Sequence, residues 1–355
     1  MRTADSLQNK PKVAIIILNW NGWDDTIECI ESVHQITYTN YDTIVIDNAS
    51  DDDSIQKITD YANGNLKPTS NYIEYLGENK PLKIISYSRE TAETGGGLES
   101  EIADIESNRK MILIRNEKNL GFAEGNNVGI RYAIRALSPD YILLLNNDTI
   151  VDKHFLDKLV ESAESDSRIS AIGPKIYYYD YGGKRNIIQS LGGYVNWFFY
   201  PGYHSICDFE DVDKADFRDI LDRDFISGAA IMIRTSCLRS DLLDNAYFFG
   251  CEDVDFCIRL RRKGGRTVIR PDSYIWHKVG VARDKNPDLR TGEEIGTLMK
   301  RVSYNLRFTK RTTHGYVIYI PTQVAHIGLK FIRKKIYGKD SDYHPIIMRI
   351  RFNNS

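Results

Sequence analysis

The sequence predicts an α/β fold, with a mixed, mostly parallel central sheet covered by helices on both faces and followed by a C-terminal helical tail. Three observations predict it. Short runs of β-branched and aliphatic residues recur from Val13 onward, and the early ones each lead into a loop rich in Asn, Asp or Gly and then into helical spacing. The runs are continuous rather than alternating, as in strands buried on both faces of a parallel sheet. After about Asp284 the alternation of strand and helix stops.

Taken in order, Val13 to Leu18 reads as a strand, Asn19-Trp20-Asn21-Gly22 as a turn, and the spacing of Ile27, Ile30 and Val33 as a helix. Thr43 to Ile46 forms a second strand, ending in Asp47-Asn48-Ala49-Ser50 before another helix. Residues 64–109 turn polar and Gly-rich, with one short strand-like run at Leu82 to Ile85, and read as an excursion from the sheet that is partly mobile. Met111 to Ile114 restores a strand, followed by a Gly/Asn loop and a helix around Val128 to Ala136. Tyr141 to Leu145 leads to Asn146-Asn147-Asp148 and a further helix near Phe155 to Val160. The aromatic, Gly-rich stretch LGGYVNWFFYPGYHS suits a loop that stacks on a flat ligand. Asp224 to Arg234 reads as a strand, Val254 to Arg262 as an amphipathic helix, and Arg266 to Arg270 as a short strand. In open α/β sheets ligands bind beyond the carboxyl ends of the strands, where the polar clusters fall here.

Composition bounds the partners. With 355 residues, 42% hydrophobic and 11% aromatic, the chain can bury a large core. Lys plus Arg total 47 against 49 acids, so a net charge of -2 supplies no general attraction to nucleic acid or anionic membrane. The five cysteines are scattered, odd in number and free of C-x-x-C pairs, which favours reduced thiols and a cytoplasmic protein. The opening MRTADSLQNKPK has no apolar core of a signal peptide or anchor, and residues 1–10 are expected to be disordered. Apolar runs fall far short of the roughly 20 residues needed to span a bilayer.

Four constellations carry chemistry. Asp47 can accept from the imide N–H of a uracil or thymine ring, the alternative being that it or Ser50 caps the next helix. Asn146-Asn147-Asp148 closes an apolar strand, where a carboxylate can hold the hard divalent cation that a diphosphate requires. A helix cap at Asp148, Thr149 or Asp152 competes with that reading. Glu252-Asp253 opens a helix; acids there suit the helix dipole, yet a carboxylate at a helix tip can also take a proton from an attacking hydroxyl. Three acids among four residues, Glu252, Asp253 and Asp255, exceed what a cap requires. His277 lies outside any helical stripe and reads either as structural or as a metal ligand completing a site with Asp148. The segment Asn119 to Gly129 holds three glycines at spacing four, which fits neither dinucleotide nor P-loop patterns. Its glycines permit close backbone approach, and Asn126 and Asn127 offer amide groups to a sugar or phosphate.

In sequence, VAIIILNWNG, IDNASDDDS, NLGFAEGNNVGI, YILLLNNDT, FISGAAIMIR, GCEDVDFCIRLRRKG and WHKVG resemble the family-2 glycosyltransferases of the GT-A fold, in particular their rhamnosyltransferase-like branch. The resemblance covers residues 11 to about 280, in the expected order. It implies inverting transfer from a nucleotide-sugar donor, UDP- or dTDP-linked, with Mg2+ or Mn2+ as cofactor. Asp253 then matches the general base, with Glu252 orienting it or touching the acceptor. Asp47 matches the base-binding aspartate, Asn147-Asp148 the end of the D-x-D-like element, and Asp148 and His277 the metal ligands. Donor contacts are expected at Asn19, Asn21, Asp47, Asn48, Asn119, Gly121, Asn126, Asn147 and Asp148, and acceptor contacts at Trp197, Gly228 and Glu252. Asn146 departs from the family's first aspartate, leaving one carboxylate where two are usual.

The implied organisation is a glycosyltransferase domain over residues 11–284, interrupted by the polar insertion at 64–109, and a helical extension over 285–355. Between Arg307 and Lys339 the chain carries eight Lys or Arg and no acid, with Val324, Ile327 and Phe331 at helical spacing. A basic amphipathic helix there predicts peripheral contact with the inner face of a membrane, consistent with a glycan or lipid-linked acceptor; a helix packed on the catalytic domain is the alternative. No nucleic acid partner is expected, and self-association is left open. A sugar-nucleotide nucleotidyltransferase would need a basic, Gly-rich loop after the first strand, which is missing, and a non-catalytic relative would be expected to have lost Asp148 or Asp253.

Overall fold

The computed structural model describes residues 10–196, 202–205, 210–211 and 219–278 of the chain. The first half runs β1 (Val13–Asn19), α1 (Trp23–Val33), β2 (Tyr41–Asp47), α2 (Ser54–Ala62), β3 (Lys83–Ser88), α3 (Arg89–Thr94), β4 (Lys110–Arg115), α4 (Gly121–Tyr132), β5 (Tyr141–Asn146) and β6 (Thr149–Val151). The second half runs α5 (Phe155–Ser165), β7 (Ile169–Tyr178), β8 (Ile187–Ser190), β9 (Gly193–Asn196), β10 (Gly202–Ser205), β11 (Glu210–Asp211), β12 (Leu221–Asp222), β13 (Ala230–Arg234), α6 (Thr235–Leu238), α7 (Glu252–Arg262) and β14 (Arg266–His277).

The main sheet has the order β11-β8-β7-β13-β5-β1-β2-β4-β3, with β14 joined to β7, β6 and β12, while β9 and β10 pair separately. Strands β5, β1, β2, β4 and β3 are parallel throughout. Their continuous Val/Ile/Leu runs follow from burial on both faces; all seven residues of β2 are buried. Antiparallel β13 then fits between β5 and β7.

The glycines at spacing four are explained by α4. Successive helical residues four apart share a face, and this face lies directly on β1 and β2. A Cβ on Gly129 would stand 2.6 Å from Ile46 and 3.0 Å from Ile16, and one on Gly125 would stand 2.8 Å from Leu18. The helix begins at Gly121 and continues into a π-helical turn at Ala133–Leu137.

Three expectations change. The 64–109 stretch is not simply an excursion, because β3 is the edge strand, parallel to β4, and α3 lies against α4 through Arg131 with Glu93 and Glu124. Its strand was short in sequence because an edge strand buries alternate residues, here Ile85 and Tyr87. The region Asp224 to Arg234 is strand only from Ala230; Phe225 to Ala229 forms a loop that turns at Gly228-Ala229. The described part of the Gly-rich aromatic stretch contains short strands rather than one open loop. Trp197 and the 285–355 extension, where a basic amphipathic helix is expected, lie outside the described residues, as do residues 1–9.

Candidate active site

The parallel strands deliver their polar ends to one edge of the sheet. The strand β5 finishes at Asn146, Asn147-Asp148 forms a tight turn, and β6 starts at Thr149 rather than a helix. Helix α5 begins only at Phe155, so Asp148 does not cap it. Asp152 instead accepts from the His154 backbone N–H at 2.9 Å. Antiparallel pairing of β14 with β6 sets His277 opposite Thr149, which brings its ring to Asp148.

His277 Nε2 lies 3.1 Å from Asp148 Oδ1, and both side chains are only 13% and 12% exposed. Burial pushes the Asp148 carboxyl up, but the His277 ring, a backbone hydrogen bond and the Lys278 charge together hold it below the usual aspartate range. On the far side of the ring, His277 Nδ1 is 2.7 Å from Gln189 Oε1. Asn146 Nδ2 is 3.4 Å from His277 Nε2, and the Asn146 side-chain oxygen Oδ1 is buried with no hydrogen-bond partner. An orphaned acceptor, a carboxylate and an imidazole nitrogen thus meet at one corner, a donor set that suits a divalent ion. Among the described residues no group of three or more His, Cys, Asp or Glu gathers, so the remaining ligands of such an ion would come from phosphate and water.

Glu252 and Asp253 open α7, whose first turn is acidic and last turn basic, as its dipole favours. Cys251 precedes them at φ 75°, a left-handed conformation uncommon outside glycine, which turns the chain sharply into the helix. Asp253 Oδ2 accepts from the Gly228 backbone N–H at 2.7 Å and Oδ1 from that of Val254 at 2.8 Å. Burial raises the Asp253 pKa, and these two N–H groups offset it only in part. Glu252 is buried beside it, 5% exposed. Asp255 turns away to Arg259 at 2.8 Å, so one of the three acids serves the helix alone.

At the ends of β1 and β2, Asp47 Oδ1 accepts from Asn19 Nδ2 at 2.9 Å and Oδ2 from the Ser50 backbone N–H at 3.1 Å. It caps no helix, since α2 starts at Ser54. Two of its four acceptor positions remain. Several residues expected at the donor are engaged within the protein. The Asn48 amide gives both protons to Asn119 Oδ1 and the Gly121 carbonyl and accepts from Asn116 Nδ2 and the Leu120 N–H, which exhausts it. Asn19, fully buried, binds Asp47, Ser50 and Thr26. Asn126, 1% exposed, turns back to the Phe122 carbonyl. Gly121 uses its N–H on Asn119 and its carbonyl on Asn48, and a Cβ there would stand 2.5 Å from the Phe248 carbonyl. Gly228, expected at the acceptor, spends its N–H on Asp253. These groups brace loops because a buried amide must satisfy itself within the protein. Asn21 and Asn147 remain partly exposed, with Asn147 Nδ2 tied to Thr26 Oγ1 at 3.0 Å.

Sequence reasoning missed Gln189 and a clamp beside His277. Lys278 Nζ lies 2.6 Å from both Asp25 and Glu28, and its backbone N–H donates to the Asp148 carbonyl at 3.0 Å. Tyr179 donates to Glu28 at 2.7 Å. The available signal was a helix carrying Asp25, Glu28 and Glu31, three acids that a buried helix face keeps only with partners.

A Rossmann-like sheet with a carboxylate–imidazole corner at the end of β5 and an acidic helix tip at α7 has the architecture of an α/β enzyme whose site lies at the strand ends. Family models agree: one described as glycosyltransferase-like family 2 matches residues 79–288 and one described as glycosyl transferase family 2 matches residues 14–80. The first alone takes in more than half of the chain, which belongs to the family-2 glycosyltransferases. Among solved structures, GalNAc-T7 with UDP, GalNAc and Mn2+ superposes with a TM-score of 0.52 at 16% identity, over 76% of this chain and 44% of that one. The mannosyltransferase PcManGT from Pyrobaculum calidifontis, with GDP-Man and Mn2+, gives 0.52 at 12% identity, over 92% of this chain and 76% of that one. At such identities the likeness establishes the GT-A fold. The chain spans less than half the length of the GalNAc-T7 chain. No curated protein matches it. Among the described residues no helix is long and apolar enough to cross a membrane.

Proposed function

We propose that this glycosyltransferase performs metal-dependent, inverting transfer of a sugar from a UDP- or dTDP-sugar to a hydroxyl of a cell-surface glycan or lipid-linked acceptor. The observation that carries the reading is Asp253, a partly buried carboxylate held by the Gly228 N–H and raised in pKa, at the same sheet edge as the Asp148–His277 pair. A carboxylate raised in this way is a better proton acceptor for a sugar hydroxyl than an ordinary aspartate. Asp253 takes the proton as the hydroxyl attacks the anomeric carbon from the side opposite the leaving diphosphate, and one displacement inverts that centre. Glu252 positions the acceptor, and Asp47 binds the base through its free acceptor positions.

Asp148, His277 and the Asn146 side-chain oxygen Oδ1 would hold the cation, which when bound neutralises charge on the leaving diphosphate. An imidazole beside a single carboxylate suits Mn2+ better than Mg2+, which prefers oxygen throughout. The Mn2+ in both structural neighbours supports a divalent ion. Rhamnose is the first donor to test on the strength of the sequence resemblance, then galactofuranose and N-acetylglucosamine. We assign catalysis to residues 11–284, and to residues 285–355 peripheral contact with the cytoplasmic membrane face, which vesicle flotation with and without the extension tests.

Nucleotide release from a panel of sugar nucleotides, with Mn2+, Mg2+ or EDTA, tests the activity, and NMR of the product's anomeric centre tests inversion. Release with no donor under any metal, or retention at the anomeric carbon, rejects the assignment.

A further inference from the structure

The corner around His277 contains an unusual pair of atoms. Gln189 sits on β8, and β7 separates that strand from β14, because β7 pairs with β8 and β14 over the same residues. The Gln189 side chain reaches over β7 to set its carbonyl oxygen 2.7 Å from His277 Nδ1. Its other terminal atom, Nε2, is buried with no hydrogen-bond partner. Leaving a buried amide N–H unpaired is costly, so the orientation has to yield something at the other end of the side chain.

A carbonyl oxygen only accepts hydrogen bonds, so the nitrogen facing it carries the proton. With the proton on Nδ1, the neutral ring has its lone pair on Nε2, aimed at Asp148 Oδ1 only 3.1 Å away. Two lone-pair atoms at that separation repel unless a proton on Nε2 or a metal cation lies between them, and a metal can displace that proton while Gln189 keeps the one on Nδ1. Had the Gln189 amide been turned over, its N–H would donate to Nδ1, and Nε2–H would close a hydrogen bond onto Asp148, leaving neither atom available.

We propose that Gln189 is a positioning residue that fixes His277 in the Nδ1–H form, so that Nε2 and Asp148 Oδ1 are presented together to a divalent cation. This rests on the metal reading of the Asp148–His277 pair. Gln189 touches neither metal nor substrate; it selects which ring nitrogen is a ligand. Partners of this kind typically contribute about 10–100-fold to metal affinity.

The test compares wild type, Gln189→Met, which keeps volume and loses the acceptor, Gln189→Glu, which keeps an acceptor oxygen, and His277→Ala. Nitrogen-15 NMR of histidine-labelled, metal-free protein reads the ring form, and electron paramagnetic resonance of free Mn2+ with UDP present reads affinity. We expect the proton on Nδ1 in wild type and in Q189E, and its loss from that site in Q189M. Mn2+ binding should weaken about 10–100-fold in Q189M, and Q189E should stay close to wild type. A wild-type ring protonated at Nε2 alone and donating to Asp148, or a Q189M protein that binds Mn2+ as wild type does, overturns the proposal while leaving the metal site standing. Mn2+ binding that H277A does not change overturns the metal reading and the proposal with it. The metal-free spectra tell these failures apart.

Discussion

At the β1–β2 corner, Asn19, Asn48 and Asn116 direct their hydrogen bonds at one another and at the loops around them, and Asn48 has no capacity left over. At the β5–β14 corner, Asn146 keeps a buried side-chain oxygen and Gln189 a buried amide nitrogen without partners. The two corners share residue types and the same edge of the sheet. The first is a lattice that holds loops in shape, and the second is poised for something to arrive. Asn116 Oδ1 in the first corner is also without a partner, so an orphaned atom marks the reactive half only where ionisable groups stand beside it, as Asp148 and His277 do beside Asn146.

The largest effect should come from the base. Asp253→Asn should lower turnover by about 10²–10⁴ while leaving nucleotide binding intact, as read by product formation and calorimetry. The same change removes a buried charge but leaves one acceptor oxygen for the N–H groups of Gly228 and Val254, so the stability gained from the first should show as a smaller loss at neutral than at acid pH. Burial lifts the Asp253 pKa above the ordinary 3.8, so its contribution to stability is fully present below that value and is lost as pH rises through the folded pKa. At neutral pH the ionised group therefore costs stability, and Asn removes the cost. Wild-type kcat/KM should accordingly fall at acid pH through a midpoint above 3.8, because the base must be ionised. A stability loss in D253N that is the same at acid and neutral pH would put this carboxylate with the lattice.

Next in size, Asn48→Ala should cost about 3 kcal/mol in denaturant unfolding, because each group orphaned by it carries a penalty of about 1–3 kcal/mol. Mn2+ affinity should not change; if it does, the two corners are coupled. Gly129→Ala should cost about 1–3 kcal/mol by pressing α4 off Ile46 and Ile16. Smallest is Asn146→Ala, which removes an already unpaired oxygen and should change stability by under about 1 kcal/mol. Its effect should appear instead as weaker Mn2+ binding, and a large stability loss would show that the oxygen is bonded after all.

The sheet and the chemistry-bearing residues were legible in the sequence because they are local. Buried parallel strands write themselves as apolar runs, and Asp148, Asp253 and His277 stand at strand or helix ends beside them. The asparagines were ambiguous because an amide that holds a loop and an amide that holds a sugar leave the same mark in a sequence. Asn126 was expected at the donor sugar, and its amide donates to the Phe122 carbonyl of its own helix. Gln189 and the Lys278 clamp were invisible for another reason. Their contacts join residues 88 and 253 positions apart, and only the pairing of β14 with β7 and β6 brings those ends together.

The Lys278 clamp has its counterpart at the other end of α1, where Lys80 meets Glu31 at 3.2 Å with side chains 4% and 0% exposed. Mobile ions screen charges through water, over about 8 Å at physiological ionic strength, and reach such enclosed pairs poorly. The exposed Lys83–Glu101 pair, at 43% and 45%, has no such shelter. Concentrated salt should thus loosen the protein's periphery first, and leave both ends of α1 fastened to the sheet edge it serves. Activity lost reversibly in brine would then report on how the anionic donor is captured, since the scaffold around it would still be intact.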